Sequence, residues 1–128
     1  MTIYGIGTDI VEVSRVSVIL ARHGVRFARH VLNATEMPEY ARANFPERFL
    51  AKRFAAKEAF AKAIGTGFRG KVTLTNIRIT HDVLGKPELD FAPALQALVT
   101  ERGIARCHLS ISDEKELVAA FVVLEQGQ

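Results

Sequence analysis

Tryptophan is absent from the 128 residues, cysteine occurs once, and proline and histidine occur four times each. The lone Cys107 can form no internal disulfide. It sits in an alternating apolar run and reads as a small buried hydrophobe rather than a nucleophile. No His/Cys cluster has zinc spacing, and no Gly-x-Ser-x-Gly or Cys/His set announces a covalent nucleophile. No apolar run approaches the roughly 20 residues that span a bilayer. The opening MTIYGIGTDIVEV lacks a basic n-region and a cleavage site. A soluble cytoplasmic protein without a membrane partner is therefore expected. There is no internal repeat, linker or low-complexity stretch.

What is present suits one domain, residues 1–128, with an ordinary hydrophobic fraction of 48%. Charge is unevenly spread. Through Lys62 there are ten Lys/Arg and six Asp/Glu, a net plus four; the remainder has seven and eight, a net minus one. A basic half suits nucleic acid, an anionic cofactor or an acidic protein. No aromatic-plus-arginine stripe or zinc-finger spacing singles out nucleic acid, and none is expected as a partner.

Ile3–Val11 reads as a strand with Tyr4, Ile6 and Ile10 on one face and Gly5, Gly7 and Asp9 on the other. The glycines clear room either for a ligand beside Asp9 or for a tight structural contact. Ser14 is expected to cap a helix through His23, with Val16, Ile19 and Leu20 inward and Gly24 as its stop. Its polar side offers Arg15 and Arg22, with Arg26 and Arg29 just beyond and only Glu12 as a nearby acid; this favours an acidic partner. Thr35 is expected to cap a short helix through Arg42, and Asn44 with Glu47 resembles a capping box. Further strands are expected at Leu74–His81, Glu88–Asp90, Arg106–Ser112 and Leu117–Leu124, with a helix over Pro93–Arg102. In Arg106–Ser112, His108 and Ser110 oppose Cys107, Leu109 and Ile111, as a polar sheet face or a site wall. Leu117–Leu124 is almost wholly apolar and suits a sheet interior or a subunit interface. The elements make one α+β domain.

The stretch that organises the chain is Phe49–Gly67, a helix to about Ile64. Phe49, Leu50, Phe54, Phe60, Ala61 and Ile64 gather on one broad face, and Arg53 and Lys57 fall among them. Glu58 and Lys62 form an i,i+4 pair on an adjoining face. Removing a charge from water costs several kcal/mol unless a partner replaces the water, so these cations suggest a bound anion and Glu58 a bound cation. A solvated helix with snorkelling stems and an ordinary surface pair explains the same spacing. Gly65–Gly70 spells G-x-G-x-x-G, but it ends a helix instead of opening one after a strand, which excludes a dinucleotide fold. Its backbone N–H groups are left as possible phosphate donors. Asp9 and Glu58 together supply two hard oxygen ligands, as Mg²⁺ commonly uses alongside phosphate oxygens and water. Mg²⁺-dependent chemistry on a phosphorylated anion is the most specific reading of the residues alone.

Gly5–Ile10 (GIGTDI), Arg48–Ala59 (RFLAKRFAAKEA), Lys62-Ala63 with Gly65-Thr66-Gly67, the Leu84–Pro87 turn and His108–Ser112 (HLSIS) closely resemble, in order, the small trimeric class of the 4'-phosphopantetheinyl transferases, the holo-acyl-carrier-protein synthases. The resemblance spans essentially the whole chain. It implies a mainly antiparallel sheet packed against a long central helix and assembly as a trimer, with sites between subunits. It implies transfer of 4'-phosphopantetheine from coenzyme A to a serine of apo-acyl carrier protein, releasing adenosine 3',5'-bisphosphate, in support of fatty acid biosynthesis. Asp9 and Glu58 then hold Mg²⁺ (or Mn²⁺), and Lys62 lies at the transferring phosphate. Arg53 and Lys57 help bind coenzyme A, while Gly65, Thr66, Gly67, His108 and Ser110 contact its nucleotide. Arg15, Arg22 and Arg26 face the carrier protein. The serine proton goes to Asp9 or to a water that Asp9 orients. Some members carry a histidine where this chain has Asp113, so no role for that histidine transfers.

Overall fold

The computed structural model describes residues 1–127. Strand β1 (Thr2–Glu12) is followed by α1 (Val13–His23), α2 (Val25–Val31), α3 (Met37–Ala41) and α4 (Pro46–Ile64). Then come β2 (Ile77–His81), β3 (Pro87–Phe91), α5 (Pro93–Glu101), β4 (Ile104–Asp113) and β5 (Leu117–Gln126). The strands form two antiparallel sheets, one in the order β1-β5-β4 and a β2-β3 hairpin. The mixed α and β composition of a single domain agrees with the sequence reading.

Helix α4, 19 residues long, lies on one face of the three-stranded sheet. Pro46 stands in its first turn, where its missing N–H costs nothing, and Gly65 ends it at φ 89°. Leu50, Phe60 and Ile64 from α4 meet Val118, Val122 and Leu124 from β5 in the buried core. Six alanines keep α4 slim: Ala51, Ala55, Ala56, Ala59, Ala61 and Ala63 are all buried. Strand β1 matches them with glycine. A Cβ on Gly5 would come within 1.9 Å of the Ala63 carbonyl oxygen, and one on Gly7 within 2.0 Å of that of Ala59. Strand and helix backbones therefore touch, which only glycine permits.

Of the two uses left open for these glycines, the tight structural contact is the one found, and it sets the facing of β1. The glycine face turns inward, and Ile6 (60% exposed) and Ile10 (68%) stand on the outer face. The space cleared by the glycines is filled by α4. Other boundaries shift for local reasons. Helix α1 starts at Val13 without a side-chain cap from Ser14. Gly24, at φ 56°, ends α1 after His23 as expected, and α2, which was not expected, follows directly. Thr35 bonds the Asn33 side chain instead of capping α3, and no side chain caps α4. Leu74–Asn76 remain outside β2, and the Leu74 carbonyl is taken by a lysine of α4.

Candidate active site

The inward face of β1 delivers Asp9 to the C-terminal half of α4. Lys62 Nζ donates to Asp9 Oδ1 at 3.1 Å and to the Thr8 carbonyl at 3.0 Å. Glu58, one turn earlier on α4, shares with Asp9 a cavity of about 410 Å³. Arg15 stands at this cavity, whose apolar walls include Val16, Ile19, Phe27 and Phe54. Burial, and then the negative charge of Asp9, push the Glu58 carboxyl above the ordinary carboxylate range; Lys62 offsets this only in part. The cavity is thus lined by three carboxylates, Asp9, Glu12 and Glu58, against Arg15, which lies 3.9 Å from Glu12, with Lys62 reaching Asp9 from beside it. This electrostatic shortfall fits a divalent cation, for which two carboxylates with water and phosphate oxygens form an ordinary ligand set. Among the described residues no cluster of three or more His, Cys, Asp or Glu could enclose a metal by itself. An ion held by Asp9 and Glu58 would take its remaining ligands from substrate or water.

Arg53 and Lys57 require correction. Both point inward, as the wheel indicated, but a carboxylate of the protein meets them instead of a phosphate. Glu36 is 2% exposed, Arg53 4% and Lys57 0%. Lys57 Nζ donates to Glu36 Oε1 at 2.7 Å, to the Val31 carbonyl at 2.7 Å and to the Leu74 carbonyl at 3.0 Å, so all three protons are engaged. Arg53 Nη1 donates to Glu36 Oε2 at 2.8 Å and to the Ile79 carbonyl at 3.2 Å, and its Nη2 donates to Glu39 at 3.1 Å. The Arg53 guanidinium also stacks over Phe49, 4.5 Å from the ring centre. Burial alone would raise the Glu36 carboxyl. The Lys57 charge and hydrogen bond, with the Ile79 and Asn33 amides, outweigh it and hold the group below its usual range.

The glycine loop is corrected in the same way. Gly65 N–H donates to the Ala61 and Lys62 carbonyls, and Gly67 N–H also donates to Ala61. These amides close the helix end and are not turned outward to cradle a phosphate. Thr66 directs its hydroxyl at the Gly67 carbonyl. His108 and Ser110 are exposed on the outer face of the sheet, with His108 Nε2 2.6 Å from Glu125 Oε1. They therefore lie across the sheet from Asp9 and Glu58, and one chain does not bring the two groups together. Arg22 is exposed in the last turn of α1, and Arg26 lines a shallow hollow with His23, Phe27 and His30.

Sequence reasoning missed Glu36, Phe27 and helix α2. The signal for Glu36 was present: two cations on an inward face require an acid from elsewhere. Periodicity does not say whether that acid is Glu36, Glu39 or a ligand.

A profile described as the 4'-phosphopantetheinyl transferase superfamily matches residues 5–122. The chain belongs to that superfamily and is an enzyme of the phosphopantetheinyl transferase class. It is 59% identical over 124 residues to the holo-[acyl-carrier-protein] synthase of Nitrosospira multiformis, covering 97% of this chain and 99% of that protein. The crystal structure of holo-[acyl-carrier-protein] synthase from Neisseria meningitidis superimposes with a TM-score of 0.95 at 53% identity, over 98% of this chain and 100% of that one. A Bacillus anthracis holo-(acyl-carrier-protein) synthase in complex with CoA (3',5'-ADP) matches with a TM-score of 0.82 at 35% identity, over 99% of this chain and 100% of that one.

Proposed function

We propose that the enzyme transfers 4'-phosphopantetheine from coenzyme A to a serine hydroxyl of an apo-acyl carrier protein, releasing adenosine 3',5'-bisphosphate. The observation that carries this reading is that Asp9, hydrogen-bonded to Lys62, shares one cavity with Glu58 and Arg15. In the reaction the serine oxygen forms a bond to phosphorus, the pyrophosphate P–O bond breaks, and the bisphosphate leaves with the electron pair. Asp9 and Glu58 are the residues to hold Mg²⁺, or Mn²⁺ in its place. When bound, that ion neutralises charge on the pyrophosphate and on the departing bisphosphate. Lys62, already anchored on Asp9, swings or stretches only a short way to meet a phosphate oxygen. Asp9 receives the serine proton or orients the group that does. The apolar cavity walls limit water around the reacting phosphate. Arg15, Arg22 and Arg26 present positive charge to an acidic carrier.

The outer sheet face supports a trimer with sites between subunits. Ile6, Ile10 and Phe121 expose apolar surface there beside His108 and Ser110. Burying this face against another copy lets His108 and Ser110 of one copy reach coenzyme A held at Asp9 and Glu58 of the next. Such an enzyme works in the cytoplasm and supplies holo-carrier protein for fatty acid and lipid biosynthesis. The test is incubation with coenzyme A, Mg²⁺ and apo-carrier protein. A mass gain of one phosphopantetheine on the carrier serine is expected, and an unmodified carrier sinks the reading.

A further inference from the structure

Glu36 gathers four donors from three parts of the chain. Its Oε1 accepts from Lys57 Nζ and the Asn33 amide (2.8 Å), and its Oε2 from Arg53 Nη1 and the Ile79 amide (3.0 Å). Lys57 adds the carbonyl of Val31, the last residue of α2. The network thus fastens the end of α2 to the residue that immediately precedes Glu58. Helix α2 has only seven residues, of which Ala28 and Val31 alone are buried. So short a helix does not hold its own conformation in water, and two small buried side chains give it little grip. The clamp adds a polar fastening to the packing of Phe27, Ala28 and Val31 against the core. Yet α2 carries Arg26, and its Phe27 lines the same cavity as Asp9 and Glu58.

We propose that Glu36 is a positioning residue: through Lys57 and Arg53 it holds α2 at a fixed distance from Glu58, so that a docked carrier protein presents its serine to the reacting phosphate. This rests on the transferase reading above. Coenzyme A depends less on the clamp, because Lys62 is anchored on Asp9 and shares no atom with the Glu36 network.

Glu36→Gln keeps size and shape but removes the charge and offers an N–H where the wild-type group only accepts. The expected result is a KM for carrier protein raised about tenfold, with the KM for coenzyme A within twofold of wild type. Hydrogen exchange of the α2 amides should quicken while those of α4 and β1 stay protected. If both KM values hold, if they rise together, or if α2 exchange is unchanged, the proposal is overturned. Where Glu36→Gln does not fold, the triple variant Glu36→Met/Arg53→Met/Lys57→Met replaces the network by apolar volume, which often preserves stability; the same KM split is expected. If neither variant folds, the network serves stability alone and the proposal fails. A wild-type protein that transfers nothing sinks the transferase reading separately, and α2 exchange still reports on the clamp.

Discussion

Helix α4 carries two charged clusters a turn apart, and they are built on opposite principles. The inner one sets two cations around one carboxylate, with backbone groups taking what remains: Glu36 accepts four hydrogen bonds and Lys57 donates three. The outer one sets Asp9 and Glu58 against one exposed lysine, and burial together with Asp9 raises the energy of the charged form of Glu58. The inner cluster is complete, so a ligand has nothing to add. The outer cluster lacks positive charge and opens on a cavity, so a cation and a phosphate complete it. Incomplete compensation separates the site from the scaffold here, since burial of charge is greater in the scaffold.

The largest expected effect lies on the scaffold side. Lys57→Ala strips Glu36 of its closest cation and leaves buried charge uncompensated, a loss of about 3–5 kcal/mol in unfolding free energy. Lys62→Ala removes an exposed partner and should cost less than about 1 kcal/mol. Denaturant unfolding of the two variants measures the contrast. Equal losses would erase the distinction between the clusters.

On the site side, Glu58→Gln removes one of the two charged ligands without changing shape. The rate of carrier modification should fall roughly 10²–10³-fold, the scale of losing one preorganised electrostatic group, with the thermal transition close to wild type. A variant that is slow only because it is unfolded would move Glu58 into the scaffold class.

The sequence made the outer cluster legible because its parts are local. Glu58 and Lys62 are one turn apart, and Asp9 follows glycines that mark a close approach. The inner cluster was half legible. A helical wheel shows that Arg53 and Lys57 face inward, but Glu36 lies 17 and 21 residues away from them, so what meets them is a tertiary fact. A phosphate was assigned where the protein supplies its own carboxylate. The facing of β1 was left open for a related reason. Isoleucines normally mark the buried side of a strand, whereas here a backbone-to-backbone contact demands glycine on that side. Gly24 stops α1 as its composition indicated, but the short helix that starts immediately after it was not legible. The order of strands and helices, governed by local periodicity and turn residues, was otherwise recovered with boundaries moved by a few residues.

The glycine contact is the next way to sharpen the comparison, since it sets the distance from Asp9 to α4. Gly7→Ala places a methyl 2.0 Å from the Ala59 carbonyl oxygen, closer than atoms can approach, so β1 must move off the helix. A cost of about 1–3 kcal/mol is expected from the forced displacement. Transfer should fall further than stability predicts, because Asp9 is carried away from Lys62 and Glu58. Activity that tracks folded fraction alone would show that Asp9 does not need this placement.

The smallest effect is a difference in sign between the clusters as pH changes. Glu36 has a depressed pKa in the folded protein, so its contribution is present above the unfolded value near 4.5 and is lost as pH falls through the folded value. Glu58 is raised by burial and by Asp9, so between 4.5 and its folded value the native state holds more protons than the unfolded chain. Stability from this group therefore declines as pH rises through that window. Unfolding measured from pH 4 to 7 should show Glu58→Gln gaining on wild type as pH increases. Mg²⁺ should flatten the difference, because an ion held by the ionised carboxylates favours the form that burial and Asp9 penalise. The same carboxyl must ionise before it can hold the ion, so the acid limb of the transfer rate should lie above that of an ordinary glutamate and move down with rising Mg²⁺. A wild-type slope matched by Glu58→Gln would mean that the two carboxylates do not feel each other, and with it would go the charge shortfall that distinguishes this cluster from the one beneath it.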